Sequence, residues 1–193
     1  AQNYKSLIDD KKSELFQTKT LHVENFQKQI SSKSKKLYWK NINYNICSNH
    51  VNADKNNFKK YSIVSFEKTS DISIVINDGV IMSNKNLPGN IKITDLSEIS
   101  DKDLCLYINK TDNLNDPFVS INNGACDCGF ILDVKKAESP QIIHIKNISS
   151  KAGFYQNRQI FNISKNVKVT FIESFEGYSE QFNNTVSQWK VEE

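Results

Sequence analysis

The sequence contains a single arginine, Arg158, although lysine and arginine together number 25. Lysine, asparagine and isoleucine dominate instead, as is typical of a protein from an AT-rich genome. A protein that binds nucleic acid usually gathers its basic residues into one stripe, with arginine among them. The densest basic cluster here is Lys33, Lys35 and Lys36, which we interpret as a solvated helix face. We therefore predict no nucleic-acid partner, and the net charge of +3 is too small to change that.

Glycine is scarce too, and its six copies are scattered at positions 79, 89, 124, 129, 153 and 177. None lies in a Walker or dinucleotide-binding pattern, so the sequence lacks a loop that could cradle a phosphate. No Gly-x-Ser-x-Gly elbow presents a serine nucleophile. We therefore predict that the chain is not an enzyme and that it contains no catalytic or cofactor-binding residues.

Long apolar runs are also missing. No stretch approaches the roughly 20 apolar residues of a membrane span, and the first residues lack the apolar core of a signal peptide. The four cysteines are too few for a disulfide scaffold. These absences predict a cytoplasmic protein with reduced thiols and no membrane partner.

Two cysteine patterns have spacings that metal sites use. Cys47 and His50 form a Cys-x-x-His pair, but tetrahedral zinc needs four ligands and no second close pair follows within tens of residues. Cys126 and Cys128 form a Cys-x-Cys pair, a spacing that can hold soft metals or persulfide sulfur. We interpret both cysteines as small buried hydrophobic residues near a turn, and we predict no metal site in the chain.

What the sequence does contain is periodic structure. Residues 1 to about 36 follow a helical pattern, with apolar side chains on one stripe. From Tyr61 to Met82 the period changes to two, and Asn77-Asp78-Gly79 interrupts it. Asp-Gly between two apolar runs predicts a β-hairpin, because glycine accepts the positive φ of such a turn. Residues 101 to 111 fit a helix or a strand equally well.

The stretch from Pro140 to Gly177 holds three β-rich runs, Ile142 to Ile148, Gln159 to Ile163 and Val167 to Phe175. Apolar side chains recur at every second position in them, which is the pattern of a half-buried strand. A fourth run, Thr185 to Val191, has the same alternation. The connections are too short for crossover helices, so the strands form either a meander or the stacked rungs of a solenoid.

The order of particular residues resembles the SufD subunit of the Suf iron–sulfur cluster assembly scaffold. A Trp-Lys pair follows the helical start, although the neighbouring Tyr38, Asn41 and Ile42 depart from the family's motif. An Asp-Gly turn and a Leu-Pro-Gly sequence come next, in the family's order. The residues that bear the resemblance are Trp39, Lys40, Pro140, His144, Asn157, Arg158, Val167, Val169, Ile172, Glu173 and Gly177. The related SufB subunit shares the core but fits the short helical start less well.

The resemblance implies a mainly β fold, a right-handed parallel β-helix preceded by a small α-helical region with a β-hairpin. It divides the chain into a helical region (1–60), a connecting segment with the hairpin (61–112) and the first rungs of the core (113–193). It also implies that the chain is the N-terminal part of a longer protein. Further rungs and a helical tail would follow.

By the same resemblance, the protein is a non-catalytic scaffold subunit. It pairs with a SufB-like subunit and works with a SufC-like ABC ATPase, which docks on the C-terminal region missing from this sequence. The iron–sulfur cluster is assembled by the complex, and this segment binds no cofactor itself. The alternative is a β-solenoid that binds or cleaves carbohydrate.

Three further residues of the β region, His144, Glu173 and Glu176, are of types that can serve as ligands or catalytic groups. His144 alternates with Ile143 and Ile145, so we expect it on the outer face of its sheet, making one hydrogen bond. Glu173 and Glu176 have the positions of solvent-facing strand and turn residues. We assign none of the three to a site.

Overall fold

The computed structural model describes residues 14–31, 70, 72–83, 87–109, 116–126, 128–178 and 181–193. Within them the chain forms three α-helices, eight strands and one short 3-10 turn at Leu96–Glu98. The helices are α1 (Glu14–Ser31), α2 (Asp101–Asn109) and α3 (Pro117–Ala125). The strands are β1 (Ile72–Asn77), β2 (Val80–Ser83), β3 (Ile91–Asp95), β4 (Cys128–Val134), β5 (Gln141–Ser149), β6 (Gly153–Ile163), β7 (Val169–Gly177) and β8 (Gln181–Val191).

The strands are shared between two four-stranded sheets. The first sheet has the order β2-β1-β5-β7, and the second has the order β3-β4-β6-β8. In the first sheet β1 is parallel to β5, and β5 is parallel to β7. In the second sheet β4 is parallel to β6, and β6 is parallel to β8. From β4 onwards the chain therefore alternates between the sheets, and from β6 onwards each strand pairs with the strand two places earlier.

The two sheets enclose one apolar core. Alternation along each strand points every second side chain into the space between them, as the period of two predicts. Ile74, Ile143 and Ile145 enter from the first sheet, and Leu132 and Phe161 enter from the second. None of these five side chains is more than 1 % exposed. Burial of this apolar area is the main source of stability for the paired sheets.

Helices cover part of the outer face of the second sheet. Leu104 and Ile108 of α2 pack in one cluster with Ile131 and Ile160, which point outward from β4 and β6. The segment that fitted a helix or a strand forms α2, and Ser100 caps it, since its hydroxyl accepts a hydrogen bond from the Asp103 amide at 3.1 Å. Tertiary burial of one helical face therefore decides between the two alternatives.

The predicted hairpin is confirmed. β1 and β2 pair in antiparallel fashion around Asp78 and Gly79, whose φ angles are 49° and 82°. The Asp78 carboxylate is buried and accepts hydrogen bonds from the Ser150 amide at 2.7 Å and from the Tyr155 hydroxyl at 2.9 Å. Burial and the Asp78 carboxylate both raise the pKa of Tyr155. The turn is thus fastened to the connection between β5 and β6.

The predicted fold class is wrong. The chain is a mixed α/β protein with two facing sheets, each of which begins with an antiparallel strand, and it is not a closed right-handed parallel β-helix. The predicted strands themselves are present, including the run that ends at Val191. Alternation along a strand shows which side chains share a face, but it contains no information about which strand lies beside it. The arrangement of the strands had to come from the tertiary structure.

Candidate functional site

The end of the second sheet nearest α3 contains a buried polar cluster around Arg158. The Arg158 side chain is fully buried on the outer face of β6, between Gly129 of β4 and Val186 of β8. Its guanidinium donates a hydrogen bond to Oδ1 of Asn123, and it also hydrogen-bonds the side chain of Cys126. Burial lowers the pKa of Arg158, and the contact with Cys126 opposes that shift.

The cluster continues into α1. The Asn123 amide lies 3.5 Å from Nδ1 of His22, which is 4 % exposed. Burial lowers the pKa of His22, and the nearby charge of Arg158 lowers it further. The neutral imidazole therefore accepts from the amide, while the amide oxygen accepts from Arg158. Lys19, one turn earlier in α1, donates to the carbonyl of Cys126 at 2.7 Å. The cluster joins α1, α3 and β6.

This arrangement predicts that stability depends on pH. The folded state holds the pKa of His22 below its usual 6.5. Near and below that pH the imidazole therefore binds a proton more strongly in the unfolded chain than in the folded chain. Stability should therefore fall as the pH is lowered from about 7 to about 5, by at most about 1.4 kcal/mol per pH unit from this residue. Urea unfolding across that range measures it.

His22→Gln is the matched variant, because glutamine can accept from the Asn123 amide and does not titrate. The pH dependence of the variant should be shallower than that of the parent chain. His144 needs a parallel variant, since burial and the charge of Lys146 also lower its pKa. If His22→Gln leaves the slope unchanged, the imidazole is not the group that titrates.

Asparagine side chains extend the cluster towards β8. Nδ2 of Asn122 donates to the backbone carbonyls of Asn157 and Asn184, at 2.8 and 3.0 Å. Nδ2 of Asn184 donates to the carbonyl of Phe118 at 2.7 Å and to Oε1 of Gln156 at 2.8 Å. These bonds tie α3 to the start of β8. We assign these hydrogen bonds a structural role, because each one satisfies a buried polar group.

The two cysteines of the Cys-x-Cys pair lie in different elements. Cys126 caps the end of α3, and Cys128 begins β4, so they do not share one face of an extended strand. Both are buried, as predicted, and both are free thiols. The Cys128 thiol lies 2.9 Å from Oδ1 of Asn157. Within the described residues, no group of three or more His, Cys, Asp or Glu side chains could hold a metal ion.

His144 lies on the outer face of the first sheet, and its side chain is buried there. Its Nε2 lies 2.9 Å from the Ser174 hydroxyl on the neighbouring strand β7. The neighbouring side chains of Ile143 and Ile145 lie in the core on the opposite face of the strand, as their alternation with His144 predicts. The neighbouring outer-face residue, Lys146, is only 1 % exposed. Residues 1–13 and 32–69, which include Trp39, Lys40, Cys47 and His50, lie outside the described part of the chain.

Glu173 and Glu176 differ in their environments. Glu173 is exposed, as predicted, but it accepts hydrogen bonds from Asn147 at 2.9 Å and from Gln159 at 2.6 Å. It therefore bridges the two sheets, which alternation along one strand does not reveal. Glu176 accepts from the Tyr178 hydroxyl at 3.1 Å.

Strands β7 and β8 form the open side of the molecule. Within the described residues, each pairs with a neighbour along one edge only, because they end their sheets. The Trp189 ring stacks on Phe161 at 3.9 Å between centroids and contacts Phe171 edge-on, yet half of its surface stays exposed. Phe175 of β7 is also half exposed. A sheet edge with unpaired backbone N–H and C=O groups can pair with a strand of another chain, and exposed aromatic rings beside it can be covered in the process.

Comparisons with protein-family models, with curated proteins and with solved structures found no match. Within the described residues, no helix is long and apolar enough to cross a membrane.

Proposed function

We propose that this chain is a non-catalytic, cytoplasmic scaffold subunit of an iron–sulfur cluster assembly complex. It pairs with a SufB-like subunit and works with a SufC-like ABC ATPase, and the cluster forms in the complex rather than on this segment. The proposal rests on the ordered resemblance to SufD between Pro140 and Gly177. It does not require the closed β-helix, which the fold excludes.

The observation that supports docking is the pair of neighbouring edge strands. β7 and β8 contain 9 and 11 residues, long enough for a partner's strands to add along both sheets at once. Such addition would pair the free backbone groups and cover the exposed faces of Phe175 and Trp189. Main-chain pairing would supply affinity, and the exposed aromatic side chains would supply register and specificity.

Co-expression with a SufB-like and a SufC-like protein tests the proposal. An affinity tag on this chain should capture the SufB-like subunit from the cells in which they are made together. Phe175→Asp should reduce capture by about tenfold or more, because an unpaired charge would then be buried at the interface. Phe175 is half exposed in the chain alone, so the variant should still fold.

Leu21→Asp is the control, since Leu21 is equally exposed but lies on α1. It should leave capture unchanged. Failure of the parent chain to capture the SufB-like subunit would contradict the proposal, and so would unaided cleavage of a polysaccharide. Equal capture by Phe175→Asp and by the parent chain would show that β7 is not part of the interface.

A further inference from the structure

The open side of the molecule is lined by the inward-facing side chains of β7 and β8. Pairing with β5 and β6 shows which residues these are, because the side chains of paired residues lie on the same face of a sheet. Phe171 pairs with Ile143, and Trp189 pairs with Phe161, so both rings turn towards the core. We call this set the open edge, and its members are Val169, Phe171, Glu173, Phe175, Asn183, Thr185, Ser187, Trp189 and Val191.

The open edge contains one charged side chain, that of Glu173. Glu173 lies between Phe171 and Phe175, two positions from each along β7. The other members are aromatic, aliphatic or uncharged polar residues. The open edge therefore carries a net negative charge, and it contains no basic side chain of its own to balance that charge.

The carboxylate of Glu173 is held by amides from both sheets. Asn147 of β5 donates to it at 2.9 Å and Gln159 of β6 at 2.6 Å, and these two residues are only 4 % and 1 % exposed. Both hydrogen bonds are accepted by the same oxygen, Oε1. Among the described residues, Oε2 accepts no hydrogen bond and neither oxygen has a cationic partner, although the side chain is exposed. Two buried amides thus fix an exposed carboxylate at the open edge.

A strand that added to β7 would take this carboxylate out of water. Burial of an ionised carboxylate is costly unless a cation pairs with it, and the two amides are uncharged. Beside it, the half-exposed ring of Phe175 and the partly buried ring of Phe171 favour apolar residues on the added strand. The strand that fits has a basic residue at its centre and apolar residues two positions away on each side. This pattern is the same in both directions, so it suits parallel and antiparallel addition alike.

We propose that Glu173 selects the strand that adds to β7, by requiring a lysine or an arginine opposite it with an apolar residue two positions away on each side. The inference rests on the proposed function for the identity of the partner, the SufB-like subunit. The preference for a basic centre belongs to the open edge itself, so it can be measured without that subunit.

Selection from a display library of strand-forming peptides tests the preference, with the full chain as bait. Each peptide has the 9 residues of β7, with every amino acid allowed at the centre, phenylalanine two positions away on each side and threonine elsewhere. Lysine and arginine should be enriched at the centre by about tenfold or more over glutamate, because like charges opposed at an interface are strongly unfavourable. Glu173→Lys should reverse the preference towards aspartate and glutamate.

Glu173→Gln is the conservative variant, because its amide oxygen can still accept from Asn147 and Gln159. It should retain peptides with an apolar centre and lose the preference for lysine over glutamate. Glu176→Gln is the matched control, since Glu176 is on the same strand but pairs with Ile148 and faces away from the core. It should keep the preference of the parent chain.

Capture of the co-expressed SufB-like subunit is measured beside the selection, and Glu173→Lys should reduce it by about tenfold or more. If the parent chain captures that subunit but enriches no basic centre, this inference is overturned and the scaffold proposal stands. Enrichment of basic centres without capture supports this inference and contradicts the scaffold proposal. An unchanged preference in Glu173→Gln, or no enrichment of any peptide by the parent chain, also overturns the role of Glu173.

Discussion

Gly129→Ala should abolish folding of this chain. Gly129 has a φ of 145°, and a Cβ built on it would lie 1.8 Å from the carbonyl oxygen of Arg158 on the paired strand β6. The obstacle is backbone, so no side-chain rotation can relieve it. Strain from the unfavourable φ and from overpacking should together cost about 4 kcal/mol or more, which approaches the whole stability of many domains.

The measurement is the yield of folded protein, followed by circular dichroism and thermal unfolding. Gly89→Ala is the control, because a Cβ at Gly89 meets no atom within 4 Å. It should leave the melting temperature within a few degrees of the parent value, as is usual for an unstrained surface substitution. A cooperatively unfolding Gly129→Ala protein would show that β4 and β6 do not approach as closely as described.

Phe161→Ala should destabilise the chain by about 3–5 kcal/mol, the usual cost of removing a buried aromatic ring. Phe161 is 1 % exposed and lies where the two sheets meet. Its ring stacks on Trp189 and makes edge contacts with Phe130 at 5.7 Å and with Phe171 at 5.1 Å. Truncation would leave a cavity between the sheets and remove the support of Trp189 at the open side.

Urea unfolding gives the change in free energy directly. Phe175→Ala serves as the matched control, because the same ring is removed from a half-exposed position on β7. We expect that variant to lose less than about 1 kcal/mol. Equal losses for the two variants would mean that the core does not lie between the sheets at Phe161.

Local signals in the sequence predicted the local structure well. The Asn77-Asp78-Gly79 turn formed where expected, because a positive φ at Gly79 depends only on the residue itself. Strands β5 to β8 also lie where alternation placed them. The choice of helix for residues 101–109 was not available from the sequence, since it depended on burial against Ile131 and Ile160.

The candidate sites illustrate the same division. Arg158 stood out in the sequence as the only arginine, but its burial among His22, Asn123 and Cys126 depends on three elements that are distant along the chain.

The sequence by itself determined the strands, the hairpin and which side chains share the core-facing side of a strand, because these follow from periods and turn preferences that act over a few residues. The tertiary structure alone decided that the strands form two facing sheets rather than one closed coil. Strand order is set by contacts between segments far apart in the chain, and a period of two is the same whichever strand lies alongside.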